Sequence, residues 1–292
     1  HLDIPIILLL VMICTYGLLI LYSAVGQQTA PVVNQLIKIG VAFGLMIVMA
    51  QISPIFYLRI APWLFVMGIV LLIAVLFVGT TVNGSQRWLR IPGVLNFQPS
   101  ELMKLVIPMM LASYFHDRHL PPLRRHVFWA CVMIFIPVLL IARQPDLGTS
   151  LLIGASGLLV LLLAGISWRY VFSAVLAGLM AAPALWYVML DYQRTRVMIL
   201  LDPERDPLGA GWNIIQSKTA IGSGGLFGKG LFQGTQSHLD FLPESQTDFI
   251  VAVLAEELGL VGVTLLLILY ILLVGRGVVI AIQAQDTFGR LL

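Results

Sequence analysis

The sequence predicts an all-α polytopic membrane protein, and three observations predict it. Of its 292 residues, 59% are apolar and 11% are charged, with a mean hydropathy of +0.97; an ordinary soluble domain carries about 25% charge. Apolar runs recur along the chain at lengths near the roughly 20 residues a helix needs to cross a bilayer. No alternating barrel pattern interrupts them, and lipid cannot satisfy an open strand edge. These features exclude a soluble enzyme, a disordered scaffold and a nucleic-acid binder. The net charge of +3 does not point to nucleic acid, because cytoplasmic loops of membrane proteins carry excess Lys and Arg. Cys14 and Cys131 both lie inside apolar runs, which argues against a disulfide framework or a thiolate metal site.

Eight spans are expected, forming one transmembrane bundle domain over residues 1–292. The first, Ile4–Val25, exceeds the about 7–15 residues of a signal-peptide core and is read as a retained helix. The chain opens at His1, so its natural start is expected upstream. Further spans follow at 32–50, 60–79, 99–115, 127–142, 147–164, 170–190 and 249–274. Placing the N-terminus inside puts Arg59, Arg118, Arg124, Arg125, Arg169, Arg276 and Arg290 in the cytoplasm. The loop His116–His126 is the most basic short segment, so this orientation is favoured. Two segments then face outward, Thr80–Gln98 and Asp191–Thr247. The second is longer than a connection requires. It carries Trp212, Ile214, Ile215, Leu226, Phe227, Leu231 and Phe232, so it is expected on the membrane surface, partly as amphipathic helix.

Ionisable groups inside spans are costly and default to a functional or paired role. Span two holds Lys38, span four holds Glu101 and Lys104, and span eight opens at Asp248 and continues through Glu256 and Glu257. Glu101 and Lys104 share a helix face and can pair. Lys38 falls about six residues, or roughly 9 Å, below the outer end of its span. With Asp248 at the outer end of span eight, four ionisable groups from three helices share the outer third of the membrane. That favours a cavity over a purely structural ion-pair network. Glu256 lies about 12 Å along the axis from Asp248 and some 80° around it, so it is not a direct carboxylate partner. Glu257 points nearly opposite. Both are read as structural or coupling residues.

Two patterns mimic sites. Gly222–Gly230 resembles a phosphate-binding loop, but Ser223 stands where the first glycine belongs and Gly230 where Ser or Thr should follow Lys229. A flexible glycine-rich turn is the expected reading. His116, His119 and His126 lie in a basic loop with Pro121 and Pro122, which suits a solvated cytoplasmic segment better than a metal site.

Several motifs in chain order resemble the SEDS family (shape, elongation, division, sporulation). They are Gln86-Arg87-Trp88, Phe97-Gln98-Pro99-Ser100-Glu101 with Lys104, Gln144–Thr149, Asp202–Gly211, Gln216–Gly225, Phe241–Ile250 and Ala252–Gly259. Gly222–Leu226 and Gly234–Ser237 are closer to the rod-elongation members than to the division members. The family has ten spans, of which this sequence holds eight, so C-terminal spans are expected to be absent. The family's His-Thr-Asp reads Gln246-Thr247-Asp248 here.

The resemblance implies a peptidoglycan glycosyltransferase acting at the outer face of the bacterial plasma membrane during cell elongation and rod-shape maintenance. Such enzymes polymerise lipid II into β-1,4 glycan strands, release undecaprenyl pyrophosphate, and work with a class B penicillin-binding protein. Asp248 matches the family's catalytic aspartate, and its place at the lip of a span implies partial desolvation and general-base strength. Inversion at an α-linked donor with a good leaving group needs one base, and cations replace the acid. Lys104, Arg196, Arg194, Lys38 or a divalent ion such as Mg or Mn would neutralise the pyrophosphate, with Glu101 beside Lys104. The glycines of Asp191–Thr247 suit a movable lid. The alternatives are a lipid II flippase and a non-catalytic scaffold of the cell-wall machinery. A flippase needs polar groups along its whole passage, whereas these cluster in the outer half.

Overall fold

The computed structural model describes residues 3–82, 85–90, 96–144, 146–189, 191–207, 209, 211–235 and 246–292. Each expected span contains a helix: α1 (Ile4–Ala24), α2 (Thr29–Ala50), α3 (Pro54–Val78), α4 (Pro99–His116), α5 (Arg124–Ala142), α6 (Leu147–Leu163), α7 (Trp168–Val188) and α10 (Ile250–Gln283). Between α7 and α10 lie α8 (Asp191–Leu201), a 3₁₀ turn (Pro203–Arg205) and α9 (Trp212–Gly224). The short α11 (Thr287–Leu291) closes the chain. Helices α1, α2, α3, α5 and α10 are long and apolar enough to cross a membrane, and α6 and the first part of α7 are shorter apolar helices. The chain is a multi-pass membrane protein.

Helix starts differ from the apolar runs for local reasons. Pro54 occupies the first turn of α3, where a missing N–H costs nothing and the fixed φ suits a helix, so α3 begins several residues before its apolar stretch. Asp3 caps α1 by accepting the Ile6 N–H at 3.1 Å.

The chain forms two compact units. One comprises His1–Gln51 and Leu179–Val278, the other Ile52–Gly178 and Val279–Leu292. In the second unit α3, α4, α5, α6 and α11 share a core of Leu72, Met103, Ile107, Leu111, Phe115, Ile134, Ile153, Leu161 and Phe288. Small residues set the closest crossings: a side-chain carbon at Gly157 would meet Ile134 Cγ1 at 2.6 Å, and one at Gly68 would overlap Met103 Sδ. The connection from α3 to α4, expected as an outer loop, contains three antiparallel strands in order: β1 (Thr80–Val82), β2 (Ser85–Arg90) and β3 (Asn96–Phe97). Thr80 pairs with Trp88 and Leu89 with Phe97; Thr80, Trp88 and Phe97 are the β-branched and aromatic types that suit a pleated surface.

The first unit packs the end of α1, α9 and the start of α10 around Ile20, Ala24, Ala220, Ala252, Val253 and Leu254. Tyr16 ties α1 to α10 by donating to the Gly262 carbonyl at 3.0 Å. Helix α2 buries no residue; in a bilayer, packing its apolar faces between helices would bring no hydrophobic gain over lipid. Helix α10 is broken at Gly259, whose φ of 64° and ψ of −160° lie outside helical space.

Candidate active site

A turn over residues 246–249 leads into α10, and the Phe249 carbonyl accepts the Ala252 N–H at 2.9 Å to start the helix. Asp248 stands in that turn. Partial desolvation was expected for it; its side chain is instead exposed and meets no hydrogen-bond or ion-pair partner among the described residues. The reason is local, since the residue precedes the first helical turn and projects from the packed end.

Beside it opens a cavity of about 670 Å³ lined by Gln246, Thr247 and Ile250 together with residues of α1 and α2. Its polar wall holds Asn34, Gln35, Lys38, Gln246 and Thr247, and its apolar wall Leu18, Leu21, Ile39 and Ile250. Asn34, Gln35 and Lys38 reach one cavity because Lys38 lies four residues from Asn34 and three from Gln35, spacings that share a helix face. The volume falls within the roughly 300–1,000 Å³ of small-molecule sites. Lys38 is exposed and without an ion-pair partner among the described residues. Because α2 begins at Thr29, Lys38 lies about 13 Å along the axis from the helix start, deeper than the apolar run implied.

Glu101 and Lys104 belong to the second unit. They pair on α4 at 2.7 Å, with side chains 54% and 37% exposed. The sequence reading put this pair in a desolvated cavity; the first turns of α4 leave it open instead. An ion pair of this exposure contributes only about 0.2–1 kcal/mol. Arg194 of α8 is already engaged. It donates to the carbonyls of Trp186 at 2.9 Å and Tyr187 at 2.8 Å, and lies 3.6 Å from Asp191. It thereby satisfies last-turn carbonyls of α7 that have no intrahelical donor. Arg196 is exposed and has no partner among the described residues.

Glu256 and Glu257 are fully buried. Glu256 Oε1 accepts from Lys229 Nζ at 2.6 Å, and from the Thr235 N–H and hydroxyl at 2.9 Å each. Glu257 Oε1 accepts from the Ser23 hydroxyl at 2.5 Å. The glycine-rich segment, expected as a flexible turn and a lid, packs instead across the break in α10. Its N–H groups at Lys229 and Gly230 donate to the carbonyls of Glu256 at 3.0 Å and Glu257 at 2.9 Å. Leu260 and Val261 in turn donate to the carbonyls of Gly225 at 3.0 Å and Leu226 at 3.1 Å. A helix break orphans carbonyls on one side and N–H groups on the other, and this loop satisfies both. Side-chain carbons at Gly224 or Gly228 would overlap the Ala255 or Glu257 carbonyl, so these glycines serve close backbone approach.

One cluster carried no role in the sequence reading. Asp146 is buried, caps α6 through the Thr149 N–H at 3.2 Å, accepts from Gln98 Nε2 at 3.1 Å and lies 3.8 Å from Arg87 Nη1. Gln144 donates to the Leu72 carbonyl at 2.9 Å. Three of the quoted motifs thus converge on one carboxylate. An aspartate preceding Leu-Gly-Thr reads as a cap, and that signal hid its longer-range partners. The amides of Asn34 and Gln35 were also missed, because they carry no charge. Among the described residues no three His, Cys, Asp or Glu side chains gather as a metal cage. His126 Nδ1 lies 3.2 Å from the Tyr114 hydroxyl, and Arg118 covers the same ring.

The chain is thus a multi-pass membrane protein in which an open carboxylate precedes a broken helix, beside a cavity part cationic and part apolar. Residues 4–292 match the FtsW/RodA/SpoVE family of cell cycle proteins, and the chain belongs to that family. It is 52% identical over 293 residues to the peptidoglycan glycosyltransferase MrdB of Escherichia coli K12, covering all of this chain and 79% of MrdB. It is 36% identical over 307 residues to the probable peptidoglycan glycosyltransferase FtsW of Trichlorobacter lovleyi, covering 99% and 78%. Among solved structures, a chain of a peptidoglycan synthase complex that coordinates polymerization and crosslinking superimposes with a TM-score of 0.82 at 31% identity, covering 99% of this chain and 81% of that one. The rod shape determining protein RodA of Thermus thermophilus gives 0.68 at 27% identity, covering 99% and 78%.

Proposed function

We propose that this chain is a peptidoglycan glycosyltransferase that polymerises lipid II into β-1,4 glycan strands, with Asp248 as general base. The observation that carries the reading is the amphipathic cavity beside Asp248, where Lys38 and three amides face an apolar wall. A disaccharide joined through pyrophosphate to a polyprenyl chain has that same division of polarity. The 4-hydroxyl of an acceptor sugar attacks the anomeric carbon of the donor, Asp248 takes the hydroxyl proton, and the lipid pyrophosphate leaves with its electrons. The α-linked donor becomes a β-linked product by inversion.

Pyrophosphate leaves without a protonating acid once its charge is met by cations. Lys38 is the first candidate because it lines the cavity, and Arg196 is the second because its guanidinium is open. Lys104 is held by Glu101 and Arg194 by the end of α7, so each would have to give up a contact first. A divalent ion such as Mg or Mn would draw most of its ligands from substrate oxygens, since the described residues gather no three-ligand set.

The chain sits in the bacterial plasma membrane with its N-terminus in the cytoplasm and this cavity toward the outer face, an orientation supported by its short basic loops. Its partner is a class B penicillin-binding protein, a reading supported by the synthase complex among its structural neighbours. Purified full-length protein given lipid II should form glycan strands, and Asp248→Asn should not. Strands of normal length from folded Asp248→Asn would overturn the assignment of the base.

A further inference from the structure

Asp248 is carried by a short piece of helix that the covalent chain alone does not hold. The break at Gly259 leaves Ile250–Leu258 as about two and a half turns, and helices that short are marginal by themselves. Ala252, Val253 and Leu254 pack the piece against α1 and α9, and a buried polar triad fixes its far end. Lys229 Nζ bridges Glu256 Oε1 at 2.6 Å and the Thr235 hydroxyl at 2.9 Å, while that hydroxyl donates to the same carboxylate at 2.9 Å. The Thr235 N–H adds a third donor at 2.9 Å. Glu256 is fully buried and the Lys229 side chain is 28% exposed. A buried carboxylate is tolerated only when its charge and lone pairs are met, so this triad holds one geometry or fails.

We infer that Lys229, Thr235 and Glu256 form a strut whose task is to position Asp248. Resting on the proposed glycosyl transfer, the inference makes these three positioning residues; none of them touches the reacting atoms. The lever is short and stiff. Ile250, where the helix begins, and Glu256 are about 9 Å apart along the axis, so a pivot of about 6° at the strut moves the helix start, and the turn that carries Asp248, by about 1 Å. A displacement of that size costs up to about 10²-fold in rate when it spoils proton transfer geometry. Most of the cavity lining, Lys38 included, belongs to α1 and α2 and does not ride on the strut, whereas Gln246, Thr247 and Ile250 do, so the loss should fall on kcat far more than on substrate binding.

The test compares lipid II polymerisation by full-length wild type, Lys229→Met, Lys229→Arg, Thr235→Val and Asp248→Asn, with hydrogen exchange measured across Ile250–Leu258 in each. Lys229→Met should lower kcat about tenfold or more while KM for lipid II stays within about twofold. Exchange across Ile250–Leu258 should rise in parallel. Lys229→Arg should restore both, and Thr235→Val should fall between. Should Lys229→Met not accumulate as folded protein, Thr235→Val and Lys229→Arg decide by the same readouts. Wild-type kcat in folded Lys229→Met or Thr235→Val, or a loss confined to KM, overturns the inference. A wild type that makes no glycan overturns the proposed reaction instead, and unchanged exchange in the variants then overturns the strut on its own.

Discussion

Two acidic positions eight residues apart on one chain segment receive opposite treatment. At Asp248 the carboxylate stands open beside a cavity, and the cationic residue of the lining, Lys38, is equally uncommitted among the described residues. At Glu256 the carboxylate is fully buried and accepts three hydrogen bonds, one of them from a lysine. Charge kept open is available to a substrate; charge that is paired and buried holds backbone in place. The glycine-rich loop belongs wholly to the second kind, since its N–H groups serve the carbonyls of a broken helix.

The largest effect should come from the open end. Asp248→Asn keeps size and polarity but cannot accept a proton, so polymerisation of lipid II should fall by about 10²–10⁴ in protein that remains folded and inserted. At the closed end the damage should instead be to the fold. Glu256→Ala leaves Lys229 without its carboxylate, and breaking a buried pair costs about 3–5 kcal/mol. Thermal melts in detergent should show that loss, while Asp248→Asn melts as wild type does. A reversal of these two results would dissolve the contrast.

How much of this contrast was legible in the sequence follows from what each feature requires. The helices were legible because lipid demands some 20 apolar residues per span, and Asp248 was conspicuous as a carboxylate where a span begins. The break at Gly259 was not, because Leu258 and Leu260 flank it with apolar side chains and only the backbone changes. Gly224 and Gly228 misled for a related reason. Composition cannot distinguish a glycine that permits motion from one that lets two backbones touch, and here they touch. The strands at Thr80–Phe97 were hidden by their length, the longest being six residues.

Lys38 should sharpen the open side of the comparison. A hydrogen bond to a charged group contributes about 1.5–3 kcal/mol, so Lys38→Met should raise KM for lipid II about tenfold or more and leave the melting temperature near wild type. Lys38→Arg should recover most of the affinity. A loss of kcat alone, with KM unchanged, would move Lys38 from binding the ground state to the chemical step.

Glu101 and Lys104 lie between the two extremes, paired yet roughly half exposed. Their coupling in a double-mutant cycle read by thermal stability should be below about 1 kcal/mol, with the single variants close to additive. A coupling of about 3 kcal/mol would place the pair in a desolvated site, closer in kind to Glu256.

The smallest effect concerns the other end of the first unit, where Asp3 caps α1 and Arg276 of α10 grips it through two hydrogen bonds, Nε to Oδ1 at 3.2 Å and Nη2 to Oδ2 at 2.7 Å. The Arg276 side chain, and after it the Ile6 N–H, hold the Asp3 carboxyl below its usual range. A carboxyl held low in the folded state adds stability that is fully present above its unfolded pKa. That stability is lost as pH falls through the lower, folded value. The melting temperature of wild type minus that of Asp3→Asn should therefore be constant from about pH 7 to pH 5 and shrink below about pH 4. Both side chains are partly exposed, Asp3 by 24% and Arg276 by 35%, so the difference should be small and should decrease with added salt. A difference that stays constant down to acid pH would mean that Asp3 acts only as a neutral cap for α1, with Arg276 adding nothing to the fold.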